Sequence, residues 1–170
     1  NMYNGFCAAI EEGKGNDQKI TMFTPQYGDT RSEVQRLRLN VFLNKAANAG
    51  TDYIVGNAVA AGEAVDYLKK NRTRYPDTKI VSTYMTINIY NKIINGLIEA
   101  APSDQSVLLG KLGIDMMVRI LNGEKPGKDI PFRVGSEFAT ITKENIKKYS
   151  YEQLFGPPNF KAIFKVNLPE

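Results

Sequence analysis

Histidine is absent from the 170 residues, and cysteine occurs once, at Cys7. Without an imidazole there is no histidine general base and no Ser–His or Cys–His nucleophile pair, and structural zinc sites are excluded with them. A single thiol cannot build a disulfide framework, and it is compatible with a reducing or an oxidising compartment. Cys7 itself reads as a small buried hydrophobe on the inner face of the first helix. Phosphate-cradling glycine patterns are also missing. Neither G-x-G-x-x-G nor G-x-x-x-x-G-K-[ST] can be read anywhere, so no nucleotide or other cofactor is expected. No run approaches the roughly 20 apolar residues of a membrane-spanning helix. These absences make an enzyme the weakest class of reading.

Charge adds little. The formal net charge is +4, but the basic residues do not gather into a stripe. Lys69, Lys70, Arg72 and Arg74 fall at the end of one expected helix and in the loop after it, where cations suit the helix dipole. Lys143, Lys147 and Lys148 ride a short C-terminal helix interrupted by Glu144. No aromatic residues interleave with them, and nucleic acid is not an expected partner.

What is present is a strand–helix alternation in a chain that is 42% hydrophobic. Residues 1–10 read as helix, with Phe6, Ala9 and Ile10 at helical spacing and no strand or charged-then-apolar leader before them. A fragment or processed product is the expectation. Residues 19–24 are a β-branched and aromatic run that predicts a strand. Thr30-Arg31-Ser32-Glu33 reads as a capping box for a helix through Val34, Leu37 and Val41 that Gly50 stops. Strands are predicted over 52–55, 79–84 and 98–101, the last closed by Pro102. Helices are predicted over 58–70, 87–94 and 104–121, the last being the longest and most apolar. Short strands at 132–134 and 138–141 follow, and Thr142 caps a last short helix. The alternation implies an α/β fold with a mostly parallel sheet and right-handed crossovers.

In such sheets ligands bind outside the carboxyl ends of the strands. The residues standing there are Tyr27-Gly28-Asp29, Gly56-Asn57, Tyr84 to Thr86, and Ser103-Asp104-Gln105. Several have plainer readings. Tyr84 suits a strand-end tyrosine packed at the sheet rim, Asn57 suits the N-cap of the helix at Ala58, and Asp104 suits the N-cap of the long helix. Phe155 and Phe160, bracketing Pro157-Pro158, read as an exposed pair, either a partner-docking tail or a strap across the molecule.

Three segments carry a resemblance. They are Ile54-Val-Gly-Asn-Ala-Val-Ala-Ala-Gly-Glu-Ala64; Gly96-Leu-Ile-Glu-Ala-Ala-Pro-Ser-Asp-Gln105 with Leu109-Gly-Lys-Leu-Gly113; and Asn122-Gly-Glu-Lys-Pro126 with Ile141-Thr-Lys-Glu-Asn145. In that order and spacing they resemble the type 1 periplasmic binding proteins, the ribose- and autoinducer-binding class. The resemblance implies three-layer, Rossmann-like lobes with a parallel sheet. Residues 1–102 would be the C-terminal lobe without its first strand, 103–136 a return segment into the N-terminal lobe, and 137–170 a closing strand, short helix and tail.

Within the family, Gly28-Asp29 with Val34-Gln35-Arg36, Val81-Ser82 with Tyr84, and Phe155-Gly156 with Asn159-Phe160 resemble a branch of periplasmic sensors. That branch binds trimethylamine N-oxide and presents itself to the periplasmic sensor domain of a membrane histidine kinase. Of the strand-end residues, Tyr84, Asp104, Gln105, Asn57 and Tyr27 are the candidate ligand residues. Tyr84 stands where sugar binders of the class usually carry an aspartate, and an aromatic face suits a methylated cation. Asp104 stands where they often carry a glutamine. Gln105 or Asn57 would donate to the oxide oxygen. The alternatives are a sugar- or autoinducer-binding protein of the same fold, and the ligand domain of a repressor, which would need a helix-turn-helix upstream.

Overall fold

The computed structural model describes residues 2–13, 20–45 and 50–162. Helices α1 (Met2–Gly13) and α2 (Ser32–Leu43) precede a unit of β1 (Tyr53–Gly56), α3 (Ala58–Lys70), β2 (Lys79–Ser82), α4 (Ile87–Ile94) and β3 (Ala100–Ser103). Then come α5 (Ser106–Leu121), β4 (Ala139–Thr142), a 3-10 turn at Ile146–Lys148 and α6 (Tyr151–Phe155). The sheet runs β1-β2-β3-β4. β1, β2 and β3 are parallel, with Gly56 opposite Ser82 and Val81 opposite Ala100, and β4 closes the sheet antiparallel to β3.

Local chemistry sets the helix ends. Asn57 caps α3 by accepting Ala60 N–H at 2.9 Å, and Thr86 caps α4 through Ile89 N–H at 3.3 Å. Gly96, at φ 66°, turns the chain out of α4 in a conformation that other residues rarely adopt. Ser150 and Gln153 form a reciprocal capping box on α6.

Strand alternation gives the sheet two unlike faces. Ile80, Ser82, Ala101, Ser103 and Ile141 are buried on one side beneath α3 and α4, whose Ala61, Val65, Leu68, Ile89 and Ile93 complete the core. The opposite face is open, with Tyr53 56% and Val55 37% exposed. α2 joins the core at its end through Leu43, whose carbonyl accepts the buried Tyr75 hydroxyl.

Several expectations change. Residues 20–24 form no strand (Lys19 lies outside the described residues). β1 is the edge strand of the sheet, but the run does not pair with its free edge, and Phe23 packs edge-on against Phe42 of α2 instead, at 5.3 Å between ring centres. The Thr30–Glu33 capping box does not form either. The Asp29 carboxylate accepts Arg31 N–H at 2.7 Å, and α2 starts one residue later than expected with Arg31 as its N-cap. α2 ends at Leu43, well before Gly50. The third strand runs through Pro102 instead of stopping there. Its β2 pairing ends at Ala100, while its β4 pairing continues through Pro102, opposite Thr140, whose carbonyl accepts from Asn145 Nδ2 at 2.8 Å.

Residues 132–134 are not a strand, and Phe132 is 82% exposed. Thr142 caps no helix: its own N–H donates to Asn145 Oδ1, and Ser150 caps α6. Phe155 is not exposed but packs with Tyr90 and Tyr151 at 5.7 and 5.3 Å, leaving Phe160 alone in solvent. Cys7 is half-buried, not enclosed.

Candidate functional site

The three parallel strands end side by side, so Asn57, Thr83-Tyr84 and Asp104-Gln105 follow neighbouring strand ends. Strands about 4.8 Å apart keep the three positions along one short edge. At the first of them, Gly56 permits a sharp entry into α3, because a Cβ there would come within 2.8 Å of the Ala60 Cβ. Asn57 then lies extended at ψ 173° and spends Oδ1 on its cap. The amide N–H donors sit on the other atom, Nδ2, and capping does not consume them.

Thr83 N–H donates to Gly56 O at 2.8 Å, carrying the sheet one bond past β2. The Thr83 Oγ1 is buried and, among the described residues, has no hydrogen-bond partner. Sequence reasoning missed this group, because an orphaned hydroxyl is a property of surroundings and leaves no mark in the pattern. Tyr84 is held by its backbone. The buried Ser82 Oγ donates to Tyr84 O at 2.8 Å and lies 3.4 Å from its N–H. Met85 is buried beyond it, so the chain is anchored on both sides while Tyr84 stays 50% exposed. The plain reading of Tyr84 as a packed rim tyrosine is thus only half met.

Asp104 does not cap α5; Gln105 holds that position and makes no side-chain cap bond. Asp104 Oδ1 accepts from Ser106 Oγ at 3.0 Å, and its backbone carbonyl accepts from Ser136 Oγ. Gln105 Nε2 donates to Glu137 O at 2.8 Å, so this amide is engaged across the chain.

Tyr27 lies in the segment ahead of α2 and is 72% exposed. That segment is braced by Gln35, whose amide donates to Asp29 O, with Gly28 pressed against the same side chain. The Asp29 carboxyl is pushed below its ordinary range by the Arg31 N–H and then by the Arg31 guanidinium. Behind it, Ser32 and Arg36 both bond Glu63 of α3, the Arg36 Nε at 2.9 Å. The Glu63 carboxyl is pushed down, Arg36 first, with burial opposing and Ser32 assisting. The edge therefore offers a half-exposed aromatic ring, a carboxylate and the Asn57 amide donors. Such a set suits a small cation that also carries a hydrogen-bond acceptor.

No protein-family model matches the chain. The periplasmic protein TorT of Escherichia coli (strain K12) is 26% identical over 163 residues, covering 96% of this chain and 44% of TorT. Among solved structures, an ABC transporter solute binding protein from Bradyrhizobium sp. BTAi1 with bound bis-Tris has a TM-score of 0.79 at 31% identity. It covers 96% of this chain and 45% of that one. The complex of TorT with the TorS sensor domain in the presence of TMAO (trimethylamine N-oxide) matches at a TM-score of 0.67 and 23% identity, over 81% and 44%. The chain spans less than half the length of the relatives it matches. Over that span it is similar to TorT in sequence and has the α/β fold of the solute-binding proteins.

Proposed function

We propose that this chain is the C-terminal part of a two-lobed periplasmic receptor that binds trimethylamine N-oxide, performs no chemistry on it, and signals through the periplasmic sensor domain of a membrane histidine kinase. The observation that carries the reading is Tyr84, a half-exposed ring fixed by its backbone at the end of the central strand β2, in a chain similar to TorT over 96% of its length. The ring face would hold the methylated nitrogen through cation–π attraction, worth about 0.5 to 2 kcal/mol per ring. Asp104 would lie near the nitrogen. The oxide oxygen would accept from Asn57 Nδ2. Tyr27 would line the mouth, and Gln105 would stand at the crossover.

Residues 1–102 would form the C-terminal lobe, 103–136 would return into the N-terminal lobe, and 137–170 would close the structure. In this arrangement the exposed α5 and Phe132 lie against the rest of the receptor. Ligand and kinase would favour the same closed state and so reinforce one another. Calorimetry on the full-length natural protein tests the reading. Trimethylamine N-oxide is expected to bind, and Tyr84→Ala to weaken it at least tenfold. Binding of ribose or galactose with no response to trimethylamine N-oxide would replace this reading with a sugar receptor.

A further inference from the structure

The end of the sheet opposite the candidate ligand edge, where β2 and β3 begin and β4 ends, carries two grooves that the proposed receptor leaves without a task. The larger encloses about 430 Å³ between the second half of α3, the turn at 76–78 and the exit from α4. Val65, Leu68 and Ile80 are buried in its floor, with Leu97 half-buried beside them. Its rim carries Lys69, Arg72 and Lys79 against Asp77 and Glu99, and Lys79 already engages Glu99 at 4.0 Å. The smaller groove, of about 310 Å³, has Tyr90, Ile94 and Ile146 as its floor and Lys143 and Lys147 as its rim. Gly96 lines the first and Lys143 the second, and they meet: a Cβ on Gly96 would stand 3.2 Å from Lys143 Nζ. The grooves therefore adjoin.

Among the described residues, Lys69, Arg72, Lys143 and Lys147 make no salt bridge. All four are exposed, and Asp77 is the one carboxylate in the grooves' lining besides the paired Glu99. Grouped cations of this kind draw anionic partners. The shape narrows the choice. A flat lipid surface would meet the rim and leave the apolar floors empty. A small molecule would lie in an open trough with much of its surface in water, unlike the enclosure that small-ligand sites provide. A protein segment can fill a groove with an apolar side chain and meet its rim with carboxylates. The crossings proposed toward the other lobe leave from the opposite end of β3, so this surface stays clear of them.

We propose that this end of the sheet is a docking surface for a protein partner. Its occupant is an acidic segment whose apolar side chains enter the two grooves while its carboxylates meet Lys69, Arg72, Lys143 and Lys147. The assignment does not depend on the ligand or the kinase proposed above.

The test uses the full-length natural protein and a dye-labelled helical peptide with leucines along one face and glutamates beside them, followed by fluorescence anisotropy. The parent is expected to bind it, more weakly as salt rises. Exchanging the leucines for serine, or the glutamates for lysine, should weaken binding severalfold. The double variant Lys69→Glu/Arg72→Glu should lose about tenfold in affinity, and Lys143→Glu/Lys147→Glu a comparable amount. Neutral Lys69→Gln/Arg72→Gln, with a smaller loss, serves if a reversal fails to fold. Lys125→Glu/Lys128→Glu, exposed cations after α5, should bind as the parent does. A parent that ignores the peptide, groove variants that bind it unchanged, or an equal loss in the Lys125/Lys128 variant would overturn the docking surface. So would phosphatidylglycerol vesicles that bind the parent, and not the groove variants, while the peptide does not bind, since that marks a membrane-facing end. Calorimetry with trimethylamine N-oxide runs alongside and should give the same affinity in parent and groove variants. Peptide binding as expected, in a protein that takes no trimethylamine N-oxide, would uphold the docking surface and sink the proposed ligand.

Discussion

α3 and α5 are both apolar helices, each following the end of a parallel strand, and they meet opposite fates. α3 buries Ala61, Gly62, Ala64, Val65, Tyr67 and Leu68. α5 is longer, at 16 residues against 13, and buries none, with Ile114 61%, Met117 56% and Leu121 80% exposed. Apolar content makes a helix eligible for burial; only a partner surface buries it. In α3 small residues lie against the sheet, which lets the helix come close, and Lys69 and Lys70 finish it in solvent. In α5 apolar side chains point several ways at once, a pattern suited to enclosure on more than one side. Substituting leucine on each helix should break the comparison if it is wrong. In the 170-residue polypeptide, Leu68→Ala is expected to cost about 2–4 kcal/mol in urea unfolding, as buried leucine truncations do. Leu121→Ala should cost less than about 0.5 kcal/mol. In the full-length protein the proposed second lobe would cover α5, and the two costs should converge. Equal costs in the shorter chain would show α5 already covered.

The tie that brings α2 onto the α3 side gives the next largest effect. Tyr75 is 1% exposed, lies 6.0 Å from the Tyr67 ring with Arg74 over its own face, and donates to the Leu43 carbonyl. Tyr75→Phe leaves that carbonyl buried without its donor, a loss of about 1–2 kcal/mol. The same denaturation curves read it out. An unchanged midpoint would mean that the end of α2 is held by packing alone.

What could be read from residues alone follows the same division. α3 and α4 were legible to the residue, because Asn57, Thr86 and Asn95-Gly96 are local signals that act within a turn of themselves. The sheet's parallel order was legible from alternation. The run at 20–24 was not, since a strand exists only beside another strand, and nothing in Ile20 to Thr24 announces whether one is near. Pro102 misled for a related reason: whether a proline ends a strand depends on its neighbours, and here β4 continues alongside β3 through Ser103 although the β2 pairing ends at Ala100. At the candidate site, residue types at strand ends were legible, but their bonds were not. The engagement of Gln105 with Glu137 and the orphaned Thr83 hydroxyl depend on segments far apart in sequence.

Asn57 separates a structural from a binding contribution on the well-buried side of the comparison. Asn57→Ala removes the cap on α3 and should cost about 1 kcal/mol. Asn57→Asp keeps an acceptor for Ala60 N–H and should retain most of the stability, yet it removes both amide donors. If Asn57 serves the ligand as proposed, the aspartate variant should lose severalfold in affinity with its melting temperature nearly unchanged. Full affinity in Asn57→Asp would confine the residue to capping.

The smallest effect sharpens the contrast electrostatically, because each helix carries one Arg–Glu pair in a different setting. Arg36–Glu63 ties α2 to α3 at 2.9 Å, with the Glu63 side chain 12% exposed, whereas Arg119–Glu124 closes the end of α5 with side chains 41% and 36% exposed. Glu63 titrates below its ordinary 4.5 because Arg36 and Ser32 bond the charged form. A depressed carboxyl stabilises the fold where it is ionised in both states, above about 4.5, and that contribution fades as pH falls through the lowered value. Glu63→Gln should therefore cost at most about 1 kcal/mol at neutral pH, discounted because Arg36 faces solvent. The gap to the parent protein should close as the solution is taken from pH 5 toward about pH 3. Glu124→Gln should change nothing measurable at either pH. A Glu63 variant whose deficit persists undiminished in acid would show that the glutamate acts by shape and not by charge.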